Sequence, residues 1–207
     1  MPNWCSNFIE VRGTNQREIA EIAKAMQDGR FCDQVIPVPE DLKRDGSASF
    51  GGDLAEQYDK IRAENREKHG YDSWYEFCTN RWGTKWDVDF VNGVDIAEDG
   101  LSVSGSFDSA WAPPMGIVER LVEQGLEVTL YYYEPGMGFV GKYDNGFDDY
   151  YELSGFDSKT VRQAIGDDLD DFFGISESMA EYEEENPEED LYRWTVEGAE
   201  ARKERVE

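Results

Sequence analysis

The chain is 207 residues long, with 39% hydrophobic and 14% aromatic residues, enough apolar material for a core and too much for a wholly disordered chain. It carries 46 Asp and Glu against 20 Lys and Arg, a net charge of −26, where a small domain is comfortable at a magnitude of roughly 2–8. That balance disfavours direct contact with nucleic-acid phosphates or an anionic membrane face, both of which call for basic surface.

NWCSNFIEVRG at 3–13 alternates and ends on glycine, the pattern of a first strand. Thr14 or Asn15 can cap a helix over 16–28, with Ile19, Ile22, Ala23 and Met26 on one face and Gly29 as its stop. FCDQVIPVPEDL at 31–42 reads as extended, punctuated by Pro37 and Pro39. Residues 43–53 form a Gly/Ser-rich loop. Residues 54–68 are polar helix formers with a thin apolar face, a solvent-facing helix. YDSWYEFCTNRWG at 71–83 puts Trp74, Phe77, Cys78 and Trp82 on one stripe, a short buried helix.

TKWDVDF at 84–90 alternates, with Trp86, Val88 and Phe90 on one side. LSVSGSFDSAW at 101–111 does the same, and the AEDG between them predicts a hairpin. Pro113 and Pro114 open a helix over 114–124, with Met115, Val118, Leu121 and Val122 inward, and Gly125 ends it. LEVTLYYYEPGMGF is another strand. Phe139–Tyr143 and Tyr150–Leu153 suggest an edge hairpin around DNGFDD. Thr160–Phe173 reads as one helix with Val161, Ala164, Ile165 and Leu169 together. Residues 177–190 are rich in acid, with eight Asp and Glu among fourteen residues, and 188–205 reads as a helix of mixed charge.

With 31–38 outside the sheet, the order is β-α-β-β-α-β. That is the split βαβ, ferredoxin-like pattern, an α+β fold with an antiparallel sheet backed by helices. The direct hairpin argues against a doubly wound parallel sheet. The expected organisation is a ferredoxin-like α+β domain over 1–153, with a helical insertion at about 43–83, and an acidic helical C-terminal extension over 154–207.

No apolar run, VTLYYY at 128–133 included, is long enough to span a bilayer. MPNWCSNF lacks the basic and apolar regions of a secretory signal. Cys5, Cys32 and Cys78 are odd in number and lack CxxC spacing, which predicts reduced, mostly buried thiols and a cytoplasmic location in the host cell.

Several motifs resemble a family of small proteins from phages and conjugative plasmids: MPNWCSN at 1–7, IPVPEDL at 36–42, NRWGTKWD at 80–87, FDSAWAPP at 107–114 and YEPGMGFVG at 133–141. The similarity covers roughly residues 1–145, and the motifs are specific as a set. The resemblance implies a ferredoxin-like C-terminal part and a mobile-element setting, without implying a reaction. The acidic stretch after 145 lies outside it.

Catalytic patterns are missing from the sequence. His69 is the one histidine, at the end of a charged helix where it can act as a C-terminal cap. A His-based zinc site or a Ser-His-Asp triad needs further partners. EPGMGFVG at 134–141 joins strands instead of opening a helix, so it reads as a tight turn and not a phosphate cradle. DNGFDDYYE at 144–152 places Gly146 too early for a calcium loop. Trp4, Trp82, Trp86 and Trp111 sit beside turns and strand ends, where they either pack the core or line a binding surface. The expectation is a non-enzymatic protein without cofactor or metal.

The acids are unevenly spread. Residues 144–190 hold 17 acids and 2 bases, while 191–207 hold 4 of each. Acid runs usually just solvate a surface. The functional alternative is phosphate mimicry, since B-DNA carries one negative charge per about 1.7 Å of axis. The expected docking residues are Asp148, Asp149, Asp167, Asp168, Asp170, Asp171, Glu181, Glu183, Glu184, Glu185, Glu188 and Glu189. Their partner would be the basic nucleic-acid-binding surface of a host protein, making the chain a DNA mimic of the anti-CRISPR or anti-restriction type. The alternative is a protein-interaction module that uses the aromatic strand ends, with acidity serving only solubility.

Overall fold

A computed structural model of the chain describes residues 3–43 and 53–186. The Gly/Ser-rich loop, but for its end residues, and the mixed-charge helix expected at 188–205 lie outside them. Six strands form an antiparallel sheet in the order β2-β3-β1-β4-β5-β6. The first four strands, read across as 2-3-1-4, give the ferredoxin-like arrangement.

β1 (Trp4–Arg12) turns Cys5, Asn7, Ile9 and Val11 inward and its alternate residues outward. Asn7 is a polar residue on that buried face, and its amide is fully used: it donates to the carbonyls of Cys5 (2.6 Å) and Phe107 (3.4 Å) and to Ser109 Oγ (2.9 Å). A buried amide left unpaired would cost the full price of desolvation. α1 (Gln16–Gln27) starts at Asn15, whose side chain accepts from the Arg17 amide at 3.0 Å. It buries Ile19, Ile22, Ala23 and Met26, as the spacing predicts. Each large apolar side chain so buried contributes about 1.5–3 kcal/mol.

The expected extended run at 31–42 is instead two short helices, α2 (Phe31–Val35) and α3 (Glu40–Lys43). The cause lies far along the chain. The Asp87 carboxylate accepts from the amides of Cys32 (2.8 Å) and Asp33 (2.9 Å), satisfying the open first turn of α2. Burial raises the Asp87 carboxyl pKa, and these backbone bonds oppose the rise. α4 (Asp53–His69) is the polar helix, and α5 (Trp74–Arg81) buries Phe77 and Cys78.

The expected strand at 84–90 does not form. Thr84 Oγ1 bonds the Ala110 amide (3.1 Å) and Asp87 caps α2, so both side chains tie this run to other segments and hold it off the ladder. Val88 and Phe90 are buried while Trp86 stays exposed. The hairpin exists one step later, from the two-residue β2 (Asp95–Ile96) to β3 (Ser102–Ala110). β3 pairs antiparallel with β1 from Trp4↔Ala110 to Arg12↔Ser102. α6 (Met115–Glu123) buries Ile117, Val118 and Leu121; Met115 and Val122, expected inward, are half-buried.

β4 is Glu127–Glu134. β5 (Phe139–Asp144) and β6 (Phe147–Glu152) form the expected edge hairpin, tightened to a turn at Asn145 and Gly146. Both turn residues have positive φ, as two-residue hairpin loops require. The helix expected over 160–173 is broken in two. Gly166, at φ +87°, separates α7 (Val161–Ile165) from α8 (Asp167–Phe173), and α9 (Ile175–Glu185) follows Gly174.

By compactness the chain divides into a first unit, residues 1–130 with 143–147, and a second, 131–142 with 148–207. The second has its own core, built on Val140, Leu153, Val161, Ile165, Leu169 and Ile175. Among the described residues no helix is long and apolar enough to cross a membrane.

All three cysteines are buried. Burial pushes the Cys32 thiol well above its ordinary value and Cys78 up to about 12. At about pH 8 the Cys78 thiolate fraction is then on the order of one in ten thousand. Iodoacetamide is expected to leave native Cys32 and Cys78 unlabelled over hours and to alkylate both within minutes in guanidinium. Fast native labelling would refute their buried placement.

Candidate partner-binding surface

The second unit carries the acids on ordered elements. Val161 and Ile165 of α7, Leu169 of α8 and Ile175 of α9 point into the core. Their helices therefore turn the polar faces out. Asp167, Asp168 and Asp171 are exposed on α8, Glu181, Glu184 and Glu185 on α9, and Asp148 and Asp149 on β6. Glu188 and Glu189 lie outside the described residues.

Not every acid is spent on the surface. Asp170 is 2% exposed. Its carboxylate accepts from the Ser176 amide (2.7 Å), Ser176 Oγ (2.6 Å) and Arg162 Nη1 (3.1 Å), closing the first turn of α9 from the preceding helix. Arg162 also meets Asp171 at 2.8 Å and Asp167 at 2.7 Å. Hydrogen bonds to Asp171 and Asp167 raise the guanidinium pKa above its ordinary value. One arginine thus gathers three carboxylates of α8. Half-buried Glu183 accepts from the Ser158 amide (2.8 Å) and hydroxyl (2.6 Å), tying α9 to the loop before α7. Asp148 accepts from the Tyr132 hydroxyl at 2.6 Å. Of the acids expected from sequence and lying among the described residues, those that remain for an outside partner are Asp149, Asp168, Glu181, Glu184 and Glu185, with Asp148, Asp167 and Asp171 presented in fixed positions.

The aromatic set divides as well. Trp82 is core: it is 4% exposed and its Nε1 donates to the Ile36 carbonyl at 2.9 Å. Trp4, Trp86 and Trp111 are 51%, 39% and 37% exposed. Their rings form a ladder, with centroids 6.3 Å apart at each step. Lys85 and Tyr75, which sequence reasoning passed over, join it: Lys85 Nζ lies 4.4 Å from the Trp86 centroid and 5.3 Å from that of Tyr75. A lysine beside a tryptophan is too common a pair to mark a site in sequence.

Other marked motifs are structural. Glu134 is 1% exposed, and its carboxylate accepts from the amides of Gly136 (3.1 Å) and Met137, so EPGMG is a turn closed by its own glutamate. His69 Nε2 lies 3.2 Å from Asp41 Oδ2, and Lys68 contacts the same oxygen. Both hold the Asp41 carboxyl below its ordinary range, the Lys68 hydrogen bond most. Among the described residues no three His, Cys, Asp or Glu side chains converge to hold a metal ion.

Residues 81–195 match the model of the family described as the ferredoxin-like domain in Api92-like protein. The match takes in β2 through α9; β1 and α1 precede it. Among solved structures, protein api92 from Yersinia pseudotuberculosis aligns with 75% of this chain and 100% of its own, at 13% identity and a TM-score of 0.36. No curated protein matches the chain.

Proposed function

We propose, from the premise that this chain belongs to the Api92-like family with its ferredoxin-like domain, a non-enzymatic role as a DNA mimic. It acts in the cytoplasm of a host cell, in a phage or plasmid setting, by covering the basic nucleic-acid-binding surface of a host defence protein. The observation that carries this reading is the placement of the second unit's exposed carboxylates on helices and a strand. Asp168 and Asp171 project from α8, Glu181 and Glu184 from α9, and Asp149 from β6. A rigid array can hold charge at the spacing of phosphates, which a loose acidic tail does poorly. Arg162, Ser176 and Ser158 supply that rigidity by pinning Asp170 and Glu183. A net charge of −26 steers a basic partner toward the chain and makes association sensitive to salt.

A fourfold charge swap, Asp149→Lys with Asp168→Lys, Glu181→Lys and Glu184→Lys, tests it. Among the described residues the side chains of these four make no hydrogen bond or ion pair, so the fold is expected to survive the swap. Tagged wild-type protein should retain a basic partner that both raised salt and competing duplex DNA release. The swapped protein should bind it at least about a hundredfold more weakly, as lost interfacial charge pairs would give. Undiminished binding by the swapped protein would sink the proposal. The exposed ladder of Trp4, Trp86 and Trp111 favours one rival, a partner docked on the aromatic strand ends. In that case the swap leaves binding intact and Trp111→Ala removes it.

A further inference from the structure

Three exposed rings of the first unit converge on one ammonium group. Lys85 Nζ stands 4.4 Å from the centroid of Trp86, 5.3 Å from that of Tyr75 and 5.9 Å from that of Trp111. These are cation–π distances, and several rings around one cation is how quaternary and methylated ammonium groups are recognised. The rings are well exposed, at 39%, 40% and 37%, so the arrangement is not core packing. Among the described residues Lys85 makes no ion pair, in a chain with 46 acids. Its ammonium is placed by ring faces and not by a carboxylate.

Two further features point to a site. Trp111 has φ +66°, a conformation uncommon for any residue but glycine and rare for a bulky one. It is held there by its amide, which donates to the Asn3 carbonyl at 2.9 Å, and the result is a ring lying 19° from parallel to Trp86. An exposed aromatic residue held at such a φ is an outlier from which a functional role can be inferred. Beside Lys85 and Trp86 opens a pocket of about 540 Å³, whose walls include Trp74 and Trp82, the acids Asp33 and Asp87 and the bases Arg30 and Lys43. It offers apolar surface to whatever is attached to the ammonium, since its carboxylates are engaged: Asp87 by the Cys32 and Asp33 amides, Asp33 by the Val38 amide and Lys43.

We propose that Tyr75, Trp86 and Trp111 form an aromatic cage for an alkylammonium group, in which Lys85 sits as an intramolecular stand-in. The ligand is a cation and not a flat anion. Ring faces are electron-rich, and residues 1–143 hold 25 acids against 14 bases, a balance that attracts cations and repels phosphates. An alkylammonium can come from a free small molecule or from a lysine side chain of a basic protein. This site stands independently of the acidic surface of the second unit.

The test follows the tryptophan indole N–H signals of the full chain by NMR, titrating with tetramethylammonium chloride against sodium chloride of equal ionic strength. Lys85→Ala removes the stand-in. It should tighten tetramethylammonium binding about tenfold over wild type, the scale of one cation–π competitor, with shifts confined to Trp86 and Trp111 and their neighbour Trp4. Adding Trp111→Asn to that variant should abolish the response, since asparagine tolerates the positive φ while removing a wall. Hexalysine is the second arm: if it displaces tetramethylammonium, the natural source is a lysine side chain, and if it does not, a free small cation. The proposal fails if Lys85→Ala responds to tetramethylammonium no more than to sodium. It fails equally if adenosine monophosphate, an anionic ring, shifts these signals where tetramethylammonium does not.

Discussion

Asp170→Ala is expected to destabilise the second unit by about 3 kcal/mol. The carboxylate is 2% exposed and receives three hydrogen bonds, from the Ser176 amide, the Ser176 hydroxyl and Arg162. Alanine keeps none of them. The half-buried amide and hydroxyl of Ser176 are left without this acceptor, each at about 1–3 kcal/mol at most. Part of the loss is recovered, because Arg162 has a 46% exposed side chain and keeps Asp167 and Asp171. Asp170→Asn preserves the shape and one acceptor and should cost clearly less. Hydrogen exchange of the α7–α9 amides measures both. Unchanged protection in the alanine variant would mean that Asp170 does not organise these helices. The same experiment bears on function, because a loosened α8 and α9 would hold their exposed carboxylates at no fixed spacing.

Gly116→Ala should cost the first unit about as much, some 3 kcal/mol, through overpacking. Gly116 lies in the first turn of α6, and its amide donates to the Trp82 carbonyl at 3.1 Å where α5 ends. A Cβ at this position would overlap the Arg81 carbonyl oxygen and crowd the Arg81 carbonyl carbon at 2.9 Å. Backbone cannot swing aside as a long side chain can, so either α5 or α6 must move. Moving α6 disturbs Ile117, Val118 and Leu121, which are at most 1% exposed. Chemical denaturation followed by tryptophan fluorescence reads the change. Gly125→Ala, where nothing lies within 4 Å of the new Cβ but φ is +89°, provides a comparison that carries backbone strain alone, about 1 kcal/mol. If Gly116→Ala cost no more than that, close helix approach would not be what this glycine provides.

Local pattern made much of the chain legible. β1, α1, β3 and β4 follow from alternation, helical spacing and the Asn15 cap, because each element buries one face and its period records which. The 2-3-1-4 strand order follows once the hairpin before Ser102 is recognised, since few topologies connect such elements without crossing. The charge asymmetry was equally open to reading, because net charge needs no fold to be counted.

What escaped depends on residues far apart in the chain. The alternation of 84–90 has the look of a strand, yet Asp87 reaches back to the amides of Cys32 and Asp33 and turns 31–35 into helix. Each segment was misread for want of the other. Gly166 sits within a run of helix formers, and only its φ of +87° shows that α7 and α8 are separate. The acids of 144–185 look alike in sequence. Burial by Ser176 and Arg162 makes Asp170 a structural group, while Asp168, two residues earlier, is exposed. In the same way Trp86 and Trp111 could be named from their motifs, but the cage needs Tyr75 from α5 and the strained backbone at the end of β3. Composition and periodicity thus settled the fold class, the element types and the acidity of this protein. Tertiary structure decided which like residues are buried, paired or presented, because burial and pairing are properties of neighbours that the chain brings together only on folding.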